Sequence, residues 1–457
     1  MSRNEDRKRD DAETTAGVRR RDLFKTGAAG LAGGALLLAG GQESHAVPAT
    51  HAAPPGQPNR DYLPVAVPNG VKLPFKIVGG VKVFHLVAEP VDHEFLPGLR
   101  AKCWGYSGSV HGPVIEAVEG DHVRIYVTNR LPAATTVHWH GLRVPNGMDG
   151  VGGLTQKPID PGETFKYEFT LQQAGTLMYH SHHDEMTQMA LGMTGMFIVH
   201  PRRQKRTVER DYVIMLHEWR IDPGAQRPNP LEMTDFNVLT MNAKAFPGTA
   251  PLLAKTGERI RIRFGNLSAM DHHPIHLHGH RFWITETDGG VIPDSARWPE
   301  TTVLVPTGST RTIELVADNP GDWPLHCHMT HHLMNQMGHG VPNMLGTDTT
   351  AVDQRIRKMV PGYMTMGQNG MADMAAMDMP VPRNTASMAL GRGKFDVITM
   401  GGMFTLLKIR DALPDGEDPD WYEAPPQTLA TNATKADLAR DGIDPGPKSG
   451  PPGRVDD

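Results

Sequence analysis

The chain is poor in cysteine, with two in 457 residues. That excludes a disulfide-stapled scaffold, since Cys103 and Cys327 could form at most one intramolecular bridge. It is also poor in net charge. Lys and Arg number 46 against 51 Asp and Glu, leaving −5, which argues against nucleic acid or an anionic membrane surface as partner. Long apolar runs are missing as well. The weakly apolar stretch from Thr26 to Gly41 is too short and too glycine-rich to span a bilayer. Turn-forming residues, by contrast, are plentiful. With 49 Gly, 38 Pro and 39% hydrophobic residues, the composition suits a turn-rich, all-β protein, and the length suits two or three domains.

Histidine (23) and methionine (25) are also in excess. One cysteine is set among them: residues 326–337 read H-C-H-M-T-H-H-L-M-N-Q-M. A thiolate, an imidazole and a weak axial thioether make up most of a blue-copper electron-transfer site, which needs one more histidine.

The chain also repeats itself. Residues 120–129, G-D-H-V-R-I-Y-V-T-N, match 257–266, G-E-R-I-R-I-R-F-G-N, and both alternate like half-buried strands. Each copy leads to a histidine cluster, H-W-H-G at 138–141 and H-P-I-H-L-H-G-H at 273–280. Gly162, Gly175 and His180 are spaced as Gly308, Gly321 and His326 are, so H-S-H (180–182) is the counterpart of H-C-H (326–328). The repeat predicts two Greek-key β-sandwich domains, 66–203 and 208–350, each roughly 140 residues long. A Met-rich C-terminal extension, 351–457, follows. Ser181 stands where Cys327 stands, so only the second domain is expected to hold a blue site.

At the N-terminus, R-R-x-L-F-K (20–25) ahead of the Gly/Ala-rich run resembles a twin-arginine signal with Leu and Phe exchanged. A leader over residues 1–46, cut near Ser44-His45-Ala46, predicts an extracytoplasmic mature protein, periplasmic in a Gram-negative cell.

Taken in order, H-W-H-G, H-S-H, H-P-I-H-L-H-G and H-C-H-x3-H-x4-M resemble the four copper motifs of the multicopper oxidases, and the likeness covers both predicted domains. The resemblance implies cupredoxin-like folds and about four copper ions per chain. It assigns His273, Cys327, His332 and axial Met337 to the type 1 copper. The type 2 copper takes His138 and His276, and the type 3 pair takes His140, His180, His182, His278, His326 and His328. Cys327 would then hold the electron-entry copper while its two neighbours hold the pair that binds O2. Asp149, in N-G-M-D-G, sits where related oxidases keep an acid near the type 2 copper. It is read either as a proton relay or as a turn-forming Asp before Gly.

With no middle domain, the chain is similar to the two-domain small laccases, which implies a head-to-tail homotrimer with the trinuclear cluster between subunits. The implied reaction takes single electrons from phenols, aromatic amines or Cu(I) and reduces O2 to water. Copper-resistance cuprous oxidase remains an alternative main role, since M-V-P-G-Y-M-T-M-G-Q-N-G-M-A-D-M-A-A-M-D-M (359–379) could collect Cu(I). A trimeric copper nitrite reductase fits less well, because that family keeps its blue site in the first domain and needs no type 3 pair. A copper buffer leaves the O2 cluster unexplained. The Met run 185–196 reads as packing or as copper handling. The stretch 395–409 looks strand-like.

Overall fold

A computed structural model of the protein describes residues 53–203, 208–222, 224–335, 350–360, 384, 391–414 and 418–446. The expected leader, Met337 and the Met-rich stretch 361–379 lie outside these residues.

The first half is two sheets sharing one core. In the larger sheet Phe75–Val78, Val81–Leu96, His122–Asn129 and Thr164–Thr170 run side by side, with Leu99–Tyr106 paired to Val81–Leu96. The predicted alternation is present in His122–Asn129, where Val123, Ile125 and Val127 turn inward. Ile115–Val118, Thr194–His200 and Gly175–His180 form the smaller sheet. Phe84, Ile125, Trp139, Tyr179 and Phe197 fill the space between. Each such side chain is worth about 1.5–3 kcal/mol of burial.

The second half repeats the plan. Val238–Met241, Arg210–Trp219, Arg259–Asn266, Ser309–Val316, Phe282–Thr287 and Gly290–Val291 follow one another in one sheet, with Trp298–Glu300 on Phe282–Thr287. The facing sheet orders Leu252–Lys255, Phe404–Arg410, Gly321–Cys327, His273–Leu277 and Thr302–Val305. Its second strand comes from the C-terminal extension. Phe404–Arg410 runs parallel to Leu252–Lys255 and antiparallel to the Cys327 strand, with Leu407 and Ile409 in the core.

The internal repeat is visible atom by atom. Asn129 and Asn266 are both buried, and each accepts a hydrogen bond from the backbone N–H two residues on. Each also donates to two carbonyls, Ala133 and Ile159 in one half, Asp271 and Val305 in the other. Gly162 and Gly308, at matching turns, both have positive φ, 86° and 72°. Among the described residues, no helix is long and apolar enough to cross a membrane.

Candidate metal centre

In both halves, strand pairing brings the two histidine motifs together. His138 bridges His180 in the first half, and His276 pairs with His326 in the second. Alternation then sorts each motif by face. Trp139 and Leu277 turn into the cores, so their flanking histidines share the opposite face. Cys327 likewise turns inward, between two histidines that do not.

Behind Cys327 lie His273 and His332, and all three side chains are fully buried. Cys327 Sγ is 3.8 Å from His273 Nδ1 and 3.3 Å from His332 Nδ1. The far nitrogens are already engaged: His273 Nε2 with Ser268 Oγ at 2.7 Å, and His332 Nε2 with Asp271 Oδ2 at 3.1 Å. Donation to Asp271 fixes His332 with its Nδ1 lone pair toward the thiol, an arrangement usual around metal-binding imidazoles. An ion about 2.0 Å from nitrogen and about 2.3 Å from sulfur places the two ligand atoms about 3.5 Å apart, so the trio fits one metal. Burial pushes the Cys327 thiol up to about 12 and holds His273 well below its ordinary range. Metal binding must therefore displace a thiol proton while the imidazole is already neutral. Met337, the expected axial ligand, lies outside the described residues.

The other eight histidines that the resemblance assigns to copper form two sets of four. Rings of His138, His140, His180 and His182 touch one another at centroid distances of 5.3–6.0 Å. Those of His276, His278, His326 and His328 do so at 4.8–5.7 Å. Among the described residues no ring contact joins one set to the other.

Backbone partners choose the free nitrogen in each set. His140 Nε2 donates to Gly308 O and His180 Nδ1 to Ser181 O, which leaves His140 Nδ1 and His180 Nε2 facing each other at 3.3 Å. His326 Nδ1 donates to Cys327 O, so its Nε2 lone pair faces His278 Nε2 at 3.0 Å. Facing lone pairs repel unless a cation or a proton lies between them, and two imidazoles on one ion stand about 3.3 Å apart. Burial also lowers the pKa of His140, His278 and His326, and takes His180 to about 3, so the neutral ligand form prevails. The donor set fits metal ions.

Asp149 sits beside this set. Its carbonyl accepts from His138 Nδ1 at 2.8 Å and its carboxylate oxygen lies 3.4 Å from the same atom. The counterpart of the Cys327 pocket in the first half is filled by a polar plug. Ser181 Oγ and Thr135 Oγ1 both donate to the buried Gln188 Oε1, whose amide donates to Ala134 O. Cys103 is a separate buried thiol packed near Phe95 and Trp219, and both cysteines are free.

Sequence reasoning missed the residues that fix the Cys327 pocket. Ser268 and Asp271 had no spacing to mark them. The stretch 395–409, read as strand-like, carries a strap, Met400-Gly401-Gly402-Met403, whose contacts with the pocket no spacing marked. Met403 N donates to His332 O and Met403 O accepts from Cys327 N; Gly401 N donates to Leu333 O. Gly402, with φ of 58°, leaves no room for a side chain, since a Cβ there would stand 2.4 Å from His332 O. Its N–H donates to Asn335 Oδ1, whose amide in turn donates to Phe246 O.

Glu218, buried behind Asp271, was missed as well. Its Oε1 accepts from the N–H groups of Met270 and Asp271. Burial, helped by the Asp271 charge, pushes its pKa up to about 8, while the His332 hydrogen bond takes Asp271 down to about 2. Between the ordinary carboxylate range and pH 8 the folded chain keeps a Glu218 proton that the unfolded chain has lost. Stability contributed by that proton is therefore full in acid and falls as pH rises through this window. Metal-free Glu218→Gln is expected to show a flatter melting temperature from pH 5 to 8 than the parent chain. An equally steep fall in the variant would assign it to other groups.

Comparison with known proteins agrees with this geometry. Two family models, each described as multicopper oxidase, match residues 88–204 and 222–344, together just over half of the chain. Copper resistance protein A of Pseudomonas syringae pv. tomato is 28% identical over 246 residues, 43% of this chain and 40% of that protein. Putative laccase-19 of Oryza sativa subsp. indica is 31% identical over 247 residues, 50% and 40% of the two chains. The chain thus matches about two fifths of the length of these curated relatives. Among solved structures, a blue copper oxidase from Nitrosomonas europaea aligns with TM-score 0.53 at 28% identity, covering 72% of this chain and 85% of that one. The multicopper oxidase mgLAC aligns with TM-score 0.55 at 27% identity, covering 74% and 91%. Paired sandwiches, a buried pocket of one cysteine and two histidines, and two model matches lead to one statement: this chain belongs to the multicopper oxidase family, whose metal is copper.

Proposed function

We propose that the protein is a laccase-like oxidase that couples one-electron oxidation of phenols, aromatic amines or Cu(I) to four-electron reduction of O2 to water. Copper bound at His273, Cys327 and His332, and at the two histidine sets, would accept single electrons and deliver them to O2. The chain's own residues do the rest. Ser268 and Asp271 orient the two imidazoles of the entry site. Backbone carbonyls fix which nitrogen each cluster histidine presents, and Asp149 places a carboxylate beside His138 that can pass protons toward the cluster.

One observation carries the reading. The two sets of four histidines occupy equivalent positions in two repeated halves, and no described ring contact joins them. A complete O2 site then needs the first set of one chain and the second set of another. Residues 66–203 and 208–350 act as the two domains, and head-to-tail contact between copies closes into a ring, a trimer being the simplest for the two-domain type. The R-R-x-L-F-K segment supports export by the twin-arginine route to an extracytoplasmic space.

The test is copper content with O2 uptake. About four copper ions per chain, with uptake driven by a phenol or by Cu(I) and no reduction of nitrite, is the expected result. About two copper ions with nitrite reduction would replace this reading by a nitrite reductase.

A further inference from the structure

In the first half the place of the Cys327 pocket is taken by Thr135, Ser181 and Gln188, three polar side chains that are each 0% exposed. The repeat fixes their register with the entry site. His138 and His140 answer to His276 and His278, so Thr135 stands three residues ahead of its motif as His273 does. The backbone agrees. Thr135 bridges Ile159 as His273 pairs with Val305, and Asn129 and Asn266 donate to those same two partner carbonyls. Ser181 lies between His180 and His182 as Cys327 lies between His326 and His328. Six residues after His180, where the entry site has His332, stands Met186, which is 52% exposed. Gln188, on the same helix Glu185–Ala190, fills the pocket instead, while Met193 and Met196 of that run are core residues.

Both ends of the Gln188 amide are engaged. Its Oε1 accepts from Thr135 Oγ1 at 2.7 Å and from Ser181 Oγ at 2.5 Å, and its Nε2 donates to Ala134 O at 2.8 Å. The main chain around it is pinned as well: Gln188 N donates to Asp184 O, Met193 N to Gln188 O, and Ser181 N to Met193 O. Ser181 O in turn accepts from His180 Nδ1 at 2.9 Å. One side chain therefore ties the residues just ahead of H-W-H to the residue inside H-S-H, the two motifs that supply the first histidine set.

Filling space does not require this chemistry. An apolar plug of similar volume would close the pocket without burying three polar groups, whose desolvation their hydrogen bonds must offset. What a fully satisfied polar network adds is direction, since each bond fixes the angle and distance of its partners where apolar contact does not.

We propose that Gln188 is a positioning residue for the O2 site, holding H-W-H and H-S-H at the separation that lets His138, His140, His180 and His182 share metal ions. An amide thus joins, in the first half, the two positions whose counterparts His273 and Cys327 converge as metal donors in the second. The proposal rests on the copper reading of the histidine sets.

The test compares full-length, copper-loaded parent protein with two variants. Gln188→Met keeps the side-chain length without the amide, and Thr135→Val/Ser181→Ala/Gln188→Met removes the two hydroxyls as well. Copper retained per chain is measured against a graded chelator, with visible absorption reporting the entry site and electron paramagnetic resonance the histidine sets. Melting of the metal-free proteins is followed in parallel. Gln188→Met should keep its blue absorption but release copper from the histidine sets at chelator concentrations about tenfold or more lower. Its metal-free melting temperature should fall, because two buried hydroxyls lose their acceptor. The triple variant should regain melting temperature without regaining copper. Retention equal to the parent in Gln188→Met would overturn the proposal. Retention that recovers together with melting temperature in the triple variant would also overturn it, making the plug a filling only. Parent protein that retains its copper yet consumes no O2 with any donor would end the oxidase reading instead, and copper retention would still decide the role of Gln188.

Discussion

Cys327→Ser is expected to abolish the intense visible absorption of the copper-loaded protein, remove about one copper per chain, and lower O2 uptake at least about 1,000-fold with every donor. The reason lies in the donor geometry. His273 and His332 converge on the thiol with their Nδ1 atoms because Ser268 and Asp271 occupy their far sides. A hydroxyl cannot replace a thiolate as a soft ligand. The fold should survive, since the first half already carries serine at the matching position, satisfied by Gln188 in a fully buried setting. Visible and electron paramagnetic resonance spectra, read beside melting temperature, check both halves of the expectation. Retained blue absorption would place the entry site elsewhere.

Ending the chain at residue 390 is expected to do more damage, by a different route. It removes the strand Phe404–Arg410 from between two neighbours, and with it the buried side chains Phe404, Leu406, Leu407 and Ile409. At about 1.5–3 kcal/mol each, their burial is comparable to the whole stability of a domain. The strap at 400–403 goes too, taking the backbone hydrogen bonds that hold Cys327 and the His332 loop. The second sandwich should fail to fold, and the entry site should bind no copper. Replacing the exposed Phe395 and Leu429 by serine, which leaves the strand and strap in place, should cost little stability. Circular dichroism and thermal melting distinguish the two. A stable, blue protein ending at 390 would contradict the role given to this strand.

The organisation of the two halves was legible because repeated structure leaves repeated spacing. Gly162 and Gly308 mark the same turn, and each H-x-H motif falls where strand alternation must put two imidazoles on one face. Of the Cys327 pocket, only Cys327, His273 and His332, which the structure brings together, were legible. Ser268, Asp271 and Glu218 act by position rather than by pattern, and each was an ordinary polar residue until strand pairing brought it to an imidazole or to its neighbour. The strand at 404–410 had the composition of a strand, but its partners, Leu252–Lys255 and Gly321–Cys327, are set by long-range packing that no local period records. Gly402 lies in the strand-like stretch 395–409, where nothing local marks a turn. Its reason for being glycine is the His332 carbonyl lying against it.

Subunit complementation tests the central claim, an O2 site shared between chains. One variant carries His138→Ala and His180→Ala, leaving its second set and entry site intact; the other carries His278→Ala and His326→Ala, leaving its first set intact. Each alone should be inactive with any donor. Unfolded, mixed in equal amounts and reassembled with copper, they should recover about a quarter of parent O2 uptake, because about one interface in four then pairs an intact first set with an intact second set. No recovery from mixed assemblies that form in full and bind copper would mean that each chain builds its O2 site alone, and the shared-site account would be wrong.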